Sequence, residues 1–117
     1  MDRVDLTTQI HYMNGVTSVI EIVGDVTGQS EDALTEAFNQ VTSHGVRNIL
    51  LDFSRLDYMN SSGIGLLVTL LIRVKRQNQR LYACGLSEYY RQIFELTRLE
   101  EAIVIYATEE EAIAAIK

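Results

Sequence analysis

Ile49-Leu50-Leu51-Asp52-Phe53-Ser54-Arg55-Leu56-Asp57-Tyr58-Met59-Asn60-Ser61-Ser62-Gly63-Ile64-Gly65 is the stretch on which the fold turns. It starts inside an apolar run, 46–52, whose unbroken Ile-Leu-Leu centre suits a strand buried on both faces. The strand is expected to end at Asp52 and a short loop to follow. A helix then opens at Asn60–Ser62 and is expected over 62–78, with apolar residues on nearly every side. A doubly buried strand that feeds a helix is one half of a parallel crossover unit.

The same alternation continues in both directions. Upstream, Val4, Leu6 and Ile10, then Val16, Val19, Ile20, Ile22 and Val23, predict two strands. Asn14-Gly15 between them is a strong hairpin signal, and Gly24 is expected to end the second strand. Ser30 suits an N-cap, with Glu31 and Asp32 in the positive first turn. Leu34, Phe38 and Val41, with Ala33 and Ala37, then make one helical face, and Gly45 is placed to stop it. Downstream, 81–86 predicts a strand, and Ser87 a cap for a helix carrying Tyr90, Ile93, Phe94, Leu96 and Thr97. A last strand is expected over 102–106. Thr108 and Glu111 have capping-box spacing for a final helix through Ile116. The order is β-β-α-β-α-β-α-β-α: an α/β domain over 1–117, with a mixed sheet against which the helices pack.

Composition narrows the functional classes. The chain has 117 residues, of which 47% are hydrophobic and 22% charged, as in an ordinary globular domain. Ten Lys and Arg against sixteen Asp and Glu leave a net charge of −6, which opposes nucleic-acid binding. Cys84 is the single cysteine, so no internal disulfide forms and a zinc site lacks ligands. The longest apolar stretch, 64–72, is interrupted by Gly65 and Thr69 and falls short of the ~20 residues that span a bilayer. Met1-Asp2-Arg3 leads into alternating polar residues rather than a leader sequence. A cytoplasmic protein with no membrane insertion is expected, as a monomer or weak dimer.

The start of the helix at 60–65 carries the chemistry. Unpaired backbone N–H groups and the positive end of the helix dipole meet there, so a phosphate is electrostatically welcome. A serine at that place can carry a phosphoryl group without breaking the fold. Gly63 and Gly65 keep the helix start slim, with room for another protein's backbone. Asn60, Ser61 and Ser62 also suit plain capping of the helix.

Met59-Asn60-Ser61-Ser62-Gly63-Ile64-Gly65 resembles the Met-Asp-Ser-Ser-Gly-Leu-Gly signature of STAS domains, in particular the bacterial anti-sigma factor antagonists. Gly24-Asp25-Val26 is similar to that family's turn after the second strand. Ile49-Leu50-Leu51-Asp52-Phe53-Ser54 is similar to its third strand, and Ile93-Phe94-Glu95-Leu96-Thr97-Arg98-Leu99 to its third helix. The resemblance covers essentially the whole chain. It implies a regulatory binding protein, not an enzyme, that takes no cofactor and binds no metal. By that resemblance Ser61 is the residue phosphorylated by an anti-sigma factor serine kinase. Only the unphosphorylated form then binds that kinase and frees its sigma factor, and a phosphatase resets the serine. Asn60 stands where the family has aspartate just before the acceptor. Thr27 replaces an aspartate in the turn after the second strand, and Arg98 a common glycine. The expected partner-binding set is Asp25, Thr27, Asn60, Ser62, Gly63, Gly65, Leu66, Thr69 and Arg73. Its basis is a long helix with Ile64, Leu67, Val68, Leu71 and Val74 turned inward, Leu66, Thr69 and Arg73 on another face, and the 25–29 loop alongside.

Two other readings compete. One is a STAS subunit of a larger assembly, a stress-signalling scaffold or a lipid-transport complex; the departures at Asn60 and Thr27 favour it. The other is a small enzyme, which lacks a base placed to activate Ser61. Asp52 at a strand end has no acidic pair or lysine of the receiver-domain type and reads as structural. His11 and His44 have no ligand-spaced partners. Arg73, Lys75, Arg76 and Arg80 sit where cations complement a helix C-terminus. Cys84 reads as a small buried hydrophobe.

Overall fold

A computed structural model describes residues 6–116; the expected strand residue Val4 lies outside the described residues. The elements are β1 (Leu6–Tyr12), β2 (Thr17–Val26), α1 (Glu31–Ser43), β3 (Asn48–Met59), α2 (Ser61–Arg76), β4 (Arg80–Cys84), α3 (Glu88–Leu96), β5 (Val104–Tyr106) and α4 (Glu109–Ile116). This is the order read from the sequence. Among the described residues the strands make one five-stranded sheet in the order β1-β2-β3-β4-β5. β1 and β2 are antiparallel and each later pair is parallel.

Local chemistry explains the joints. At the hairpin, the Val16 N–H donates to Asn14 Oδ1 at 2.8 Å and the Met13 N–H to the Thr17 carbonyl at 2.9 Å. Gly45 leaves α1 with φ +78. The N–H groups of Gly45 and Val46 return to the carbonyls of Thr42 and Val41, a Schellman closure that only a residue tolerant of positive φ permits cheaply.

The sheet separates two cores. One face meets α1, α2 and α3, where Ile20, Ile22, Ile49, Leu51 and Phe53 pack with Phe38, Leu67, Val74 and Phe94. The other face carries Val19, Leu50, Tyr82 and Cys84, and α4 covers it with Ala112, Ile113 and Ile116. Cys84 is fully buried, as expected.

Several boundaries differ from the sequence reading. β2 does not stop at Gly24. It runs to Val26, and Gly24 takes φ +105 beside a shift of register against β3. β3 does not stop at Asp52, and no loop separates it from α2. Pairing with β4 ends at Asp52–Cys84, but Arg55–Met59 continue against Val23–Val26 of β2. The apolar run therefore ended where the second neighbour ended, not where the strand did. β4 spans Arg80–Cys84 rather than 81–86, because Gly85 turns away with φ +76. The last strand begins at Val104, after a 3-10 turn over Leu99–Glu101.

α2 spans Ser61–Arg76, and its inward face is Gly63, Leu67, Leu70, Leu71 and Val74. Val68 is 38% exposed and Ile64 only half-buried, so the expected stripe was rotated by a fraction of a turn. The glycine sets this rotation by its contact with β2, and an apolarity count does not register a glycine as a core residue. Ser30 precedes α1 but gives it no side-chain cap.

Candidate functional site

β2 and β3 end side by side at the Val26–Met59 pair, and the two segments that follow form the site. After β2, Thr27 caps a 3-10 turn over Gly28–Ser30. Thr27 Oγ1 accepts from the Gln29 N–H at 3.1 Å. Ser30 Oγ accepts from the Thr27 N–H at 2.9 Å and donates to the Asp25 carbonyl at 3.2 Å. The turn is thus closed upon itself, with Ser30 buried beneath it.

After β3, Asn60 opens α2. Its Oδ1 accepts from the Gly63 N–H at 2.8 Å and its carbonyl from the Ile64 N–H at 3.0 Å. The Asn60 N–H donates to the Val26 carbonyl at 3.2 Å, which ties the helix start to β2. Gly63 lies against the same peptide: a Cβ there would fall 2.2 Å from the Val26 oxygen. The absent side chain therefore admits β2, not a foreign backbone. Gly28 lies over Ser62 in the same way, its Cβ position 3.3 Å from the serine Cβ. From beneath, the Tyr90 hydroxyl accepts the buried Met59 N–H at 2.9 Å.

This frame leaves Ser61 and Ser62 exposed in the first turn of α2. Among the described residues their N–H groups have no hydrogen-bond acceptor, so the positive end of the dipole opens beside two hydroxyls. Asn60, Ser62 and Gly63 flank Ser61 at the start of α2, and Thr27 lies in the adjoining turn, whose Gly28 lies over Ser62. Gly65 follows one turn on, and a Cβ there would meet nothing within 4 Å. Leu66 and Thr69 line a narrow cleft with Glu31, Leu34 and Thr35 of α1, and Leu66 is half-buried. Arg73, further along, donates to Asn39 of α1. Asp25 is 7% exposed, so its side chain faces inward.

The parts that Gly28, Ser30 and Tyr90 play in holding the site were not among the expectations from sequence. The Thr27-x-x-Ser30 spacing was a legible capping signal. Nothing local links Tyr90 to Met59, 31 residues earlier.

A second cluster lies under α4. Asp52 Oδ1 accepts from the Ser54 N–H at 2.9 Å and from Ser54 Oγ at 2.7 Å. Burial alone would raise the Asp52 carboxyl, but hydrogen bonds to Glu109, Ser54 and Cys84 hold it below its ordinary value. Glu109 moves the other way, raised first by its hydrogen bond to Asp52, then by burial and by the charges of Asp52 and Glu21. Burial, followed by those acidic neighbours, pushes the Cys84 thiol up to about 12, which makes it a poor nucleophile at neutral pH. Among the described residues no group of three or more His, Cys, Asp or Glu is arranged to hold a metal ion. No helix there is long and apolar enough to cross a membrane.

The chain is similar to the anti-sigma-B factor antagonist of Staphylococcus aureus, with 26% identity over 99 residues, covering 85% of this chain and 87% of that protein. In structure it is similar to the anti-sigma factor antagonist SpoIIAA in its unphosphorylated form, with TM-score 0.73, 25% identity, and coverage of 94% of this chain and 97% of that one. The phosphorylated form of the Bacillus cell fate determinant SpoIIAA gives TM-score 0.73 and 26% identity over 95% of this chain and 100% of that one. A model of the STAS domain matches residues 8–112, a span that takes in the sheet, the capped start of α2 and the turn beside it, and the chain belongs to the STAS domain family.

Proposed function

We propose that this protein is an anti-sigma factor antagonist that works by binding, not by catalysis, in the cytoplasm. Its unphosphorylated form binds an anti-sigma factor serine kinase and frees the sigma factor that kinase holds. Phosphorylation of Ser61 ends the binding, and a phosphatase restores it. The observation that carries this reading is an exposed Ser61 in the first turn of a helix whose cap and underside are rigidly tied to β2. The likeness to SpoIIAA, solved in both unphosphorylated and phosphorylated forms, supports a switch at this place. The partner meets Ser61, Ser62, Gly65 and the Thr27–Gly28 turn, with Leu66, Thr69 and Arg73 at the flank. Asp25 and Gly63 act from inside by shaping the loop and the helix start.

The switch follows from charge. A phosphate on Ser61 sits among free N–H groups, so the fold tolerates it. It also adds about −2 of charge to the centre of the contact, which a docked partner must desolvate. The test uses the purified chain with an anti-sigma factor kinase and ATP, followed by peptide mass spectrometry and a binding assay. One phosphate is expected on Ser61, absent in Ser61→Ala, with kinase binding lost on modification. Phosphate confined to Ser62, or a modified chain that binds as before, overturns the reading. Constant copurification with a large assembly favours instead the fixed-subunit reading to which Asn60 and Thr27 lend weight.

A further inference from the structure

A cavity of about 430 Å³ opens at the end of the sheet away from Ser61. It exists because β5 starts late. Val104 pairs with Tyr82, so Arg80 and Leu81, at the start of β4, have no neighbouring strand on that side. The chain approaching β5 through Ala102 lifts clear of them. The last turns of α2 and the end of α4 wall the gap without filling it.

Its lining has two characters. Half-buried Ala102 and exposed Val104 and Ala115 give it an apolar rim over a floor of buried Leu71, Val74 and Leu81, and Tyr82 and Tyr106, stacked at 6.5 Å, form an aromatic side. Val104 is 49% exposed, an apolar side chain that the monomer leaves uncovered. Lys75 and Arg80 stand in the same lining. Among the described residues neither has a carboxylate within ion-pair distance. The chain carries a net −6, yet two cations, Lys75 and Arg80, share the lining of this one cavity. The end of α2 contributes only about half a negative charge, which two full cations outweigh. The volume falls within the range of small-molecule sites, which pair apolar walls with a few polar anchors.

We propose that this cavity binds a single-tailed anionic amphiphile, its tail against Val104, Tyr106 and Ala115 and its headgroup on Lys75 and Arg80. The headgroup is a carboxylate or a phosphate monoester, which the two cations hold by the same chemistry. The site is independent of Ser61 and of any switch there.

The experiment titrates the 117-residue chain with decanoate, decyl phosphate and decanol, each below its micelle-forming or solubility limit, and follows backbone amide resonances. Saturable shifts are expected at Leu81, Tyr82, Val104 and Tyr106 with both anions, and binding of decanol at least tenfold weaker. The tighter of the two anions names the headgroup, and either order supports the proposal. Lys75→Gln with Arg80→Gln, both exposed positions, weakens the anions about tenfold and leaves decanol unchanged. Ala115→Phe, on the exposed side of α4, plugs the cavity and weakens all three ligands. Decanol bound as tightly as the anions, shifts mapping elsewhere, or no saturation overturns the proposal. An unshifted amide spectrum in the free variants separates loss of binding from loss of fold.

Discussion

On one side of the sheet, Ile20, Ile22, Leu51 and Phe53 meet three helices; on the other, Val19, Leu50, Tyr82 and Cys84 meet α4 alone. Among the largest fully buried side chains of the described residues, Leu50 and Val19 are the ones that belong to the α4 side. That side fills its remaining area with charge: His11 bonds Glu21 at 3.1 Å, Arg55 approaches Glu21 at 3.9 Å, and Asp52 faces Glu109. The first face holds the molecule together by area removed from water and fixes where α2 begins. The second is held by a short helix over a charged margin, so its hold depends on solution conditions. The site around Ser61 belongs wholly to the first face.

The largest expected effect tests that asymmetry directly. Phe38→Ala, at a 1% exposed position, should cost about 3–5 kcal/mol. Ile113→Ala, half-buried under α4, should cost about 1 kcal/mol. Denaturant melts decide it, and equal losses would erase the distinction between the faces. Next comes a contrast within α2. Gly63→Ala drives a Cβ into the Val26 carbonyl and should cost about 3 kcal/mol. Gly65→Ala, in open space, should gain up to about 1 kcal/mol from helix propensity.

A smaller effect probes the charged side. Glu109 has a raised pKa in the fold, so its contribution is complete below its ordinary 4.5 and fades as pH rises. Asp52 is lowered, so its contribution is complete above its ordinary 3.8 and fades as pH falls. Glu109→Gln removes the repulsion felt at neutral pH. Thermal melts should show it more stable than the parent at pH 7, by up to about 1 kcal/mol, since solvent reaches the half-buried Glu109 and screens the pair. The advantage should vanish below pH 4.5. The smallest effect lies at the turn after α3, where Arg98 has φ +64. Arg98→Gly relieves that conformation and should gain about 0.5 kcal/mol, less whatever its exposed ion pair with Glu101 contributes. A loss on melting would show that the pair outweighs the strain.

The pattern of legible and illegible features follows the same division. The element order, the hairpin at Asn14-Gly15, the stop at Gly45 and the caps at Asn60, Ser87 and Thr108 are local, and each was readable from a few neighbouring residues. Thr108 Oγ1 does accept from the Glu111 N–H, at 3.1 Å. The length of β3 was not readable. Its second half keeps one neighbour, and its exposed Ser54, Arg55 and Asp57 look like a loop when seen without β2. The rotation of α2 was hidden because a glycine sets it. The site's support from Tyr90 was hidden because a contact across the chain leaves no periodic trace. Arg98, read as a substituted glycine, proves to sit where glycine's freedom counts.

The strands lie in the sheet in the order in which they occur along the chain. During synthesis each new strand therefore finds the edge it needs already laid down, and no later segment has to be threaded between two earlier ones. With no proline in the chain, no slow peptide-bond isomerisation interrupts that sequence. The serine-bearing start of α2 can thus be assembled on β2 and β3 while β5 and α4 are still unmade, leaving the thinly covered edge as the last piece to close.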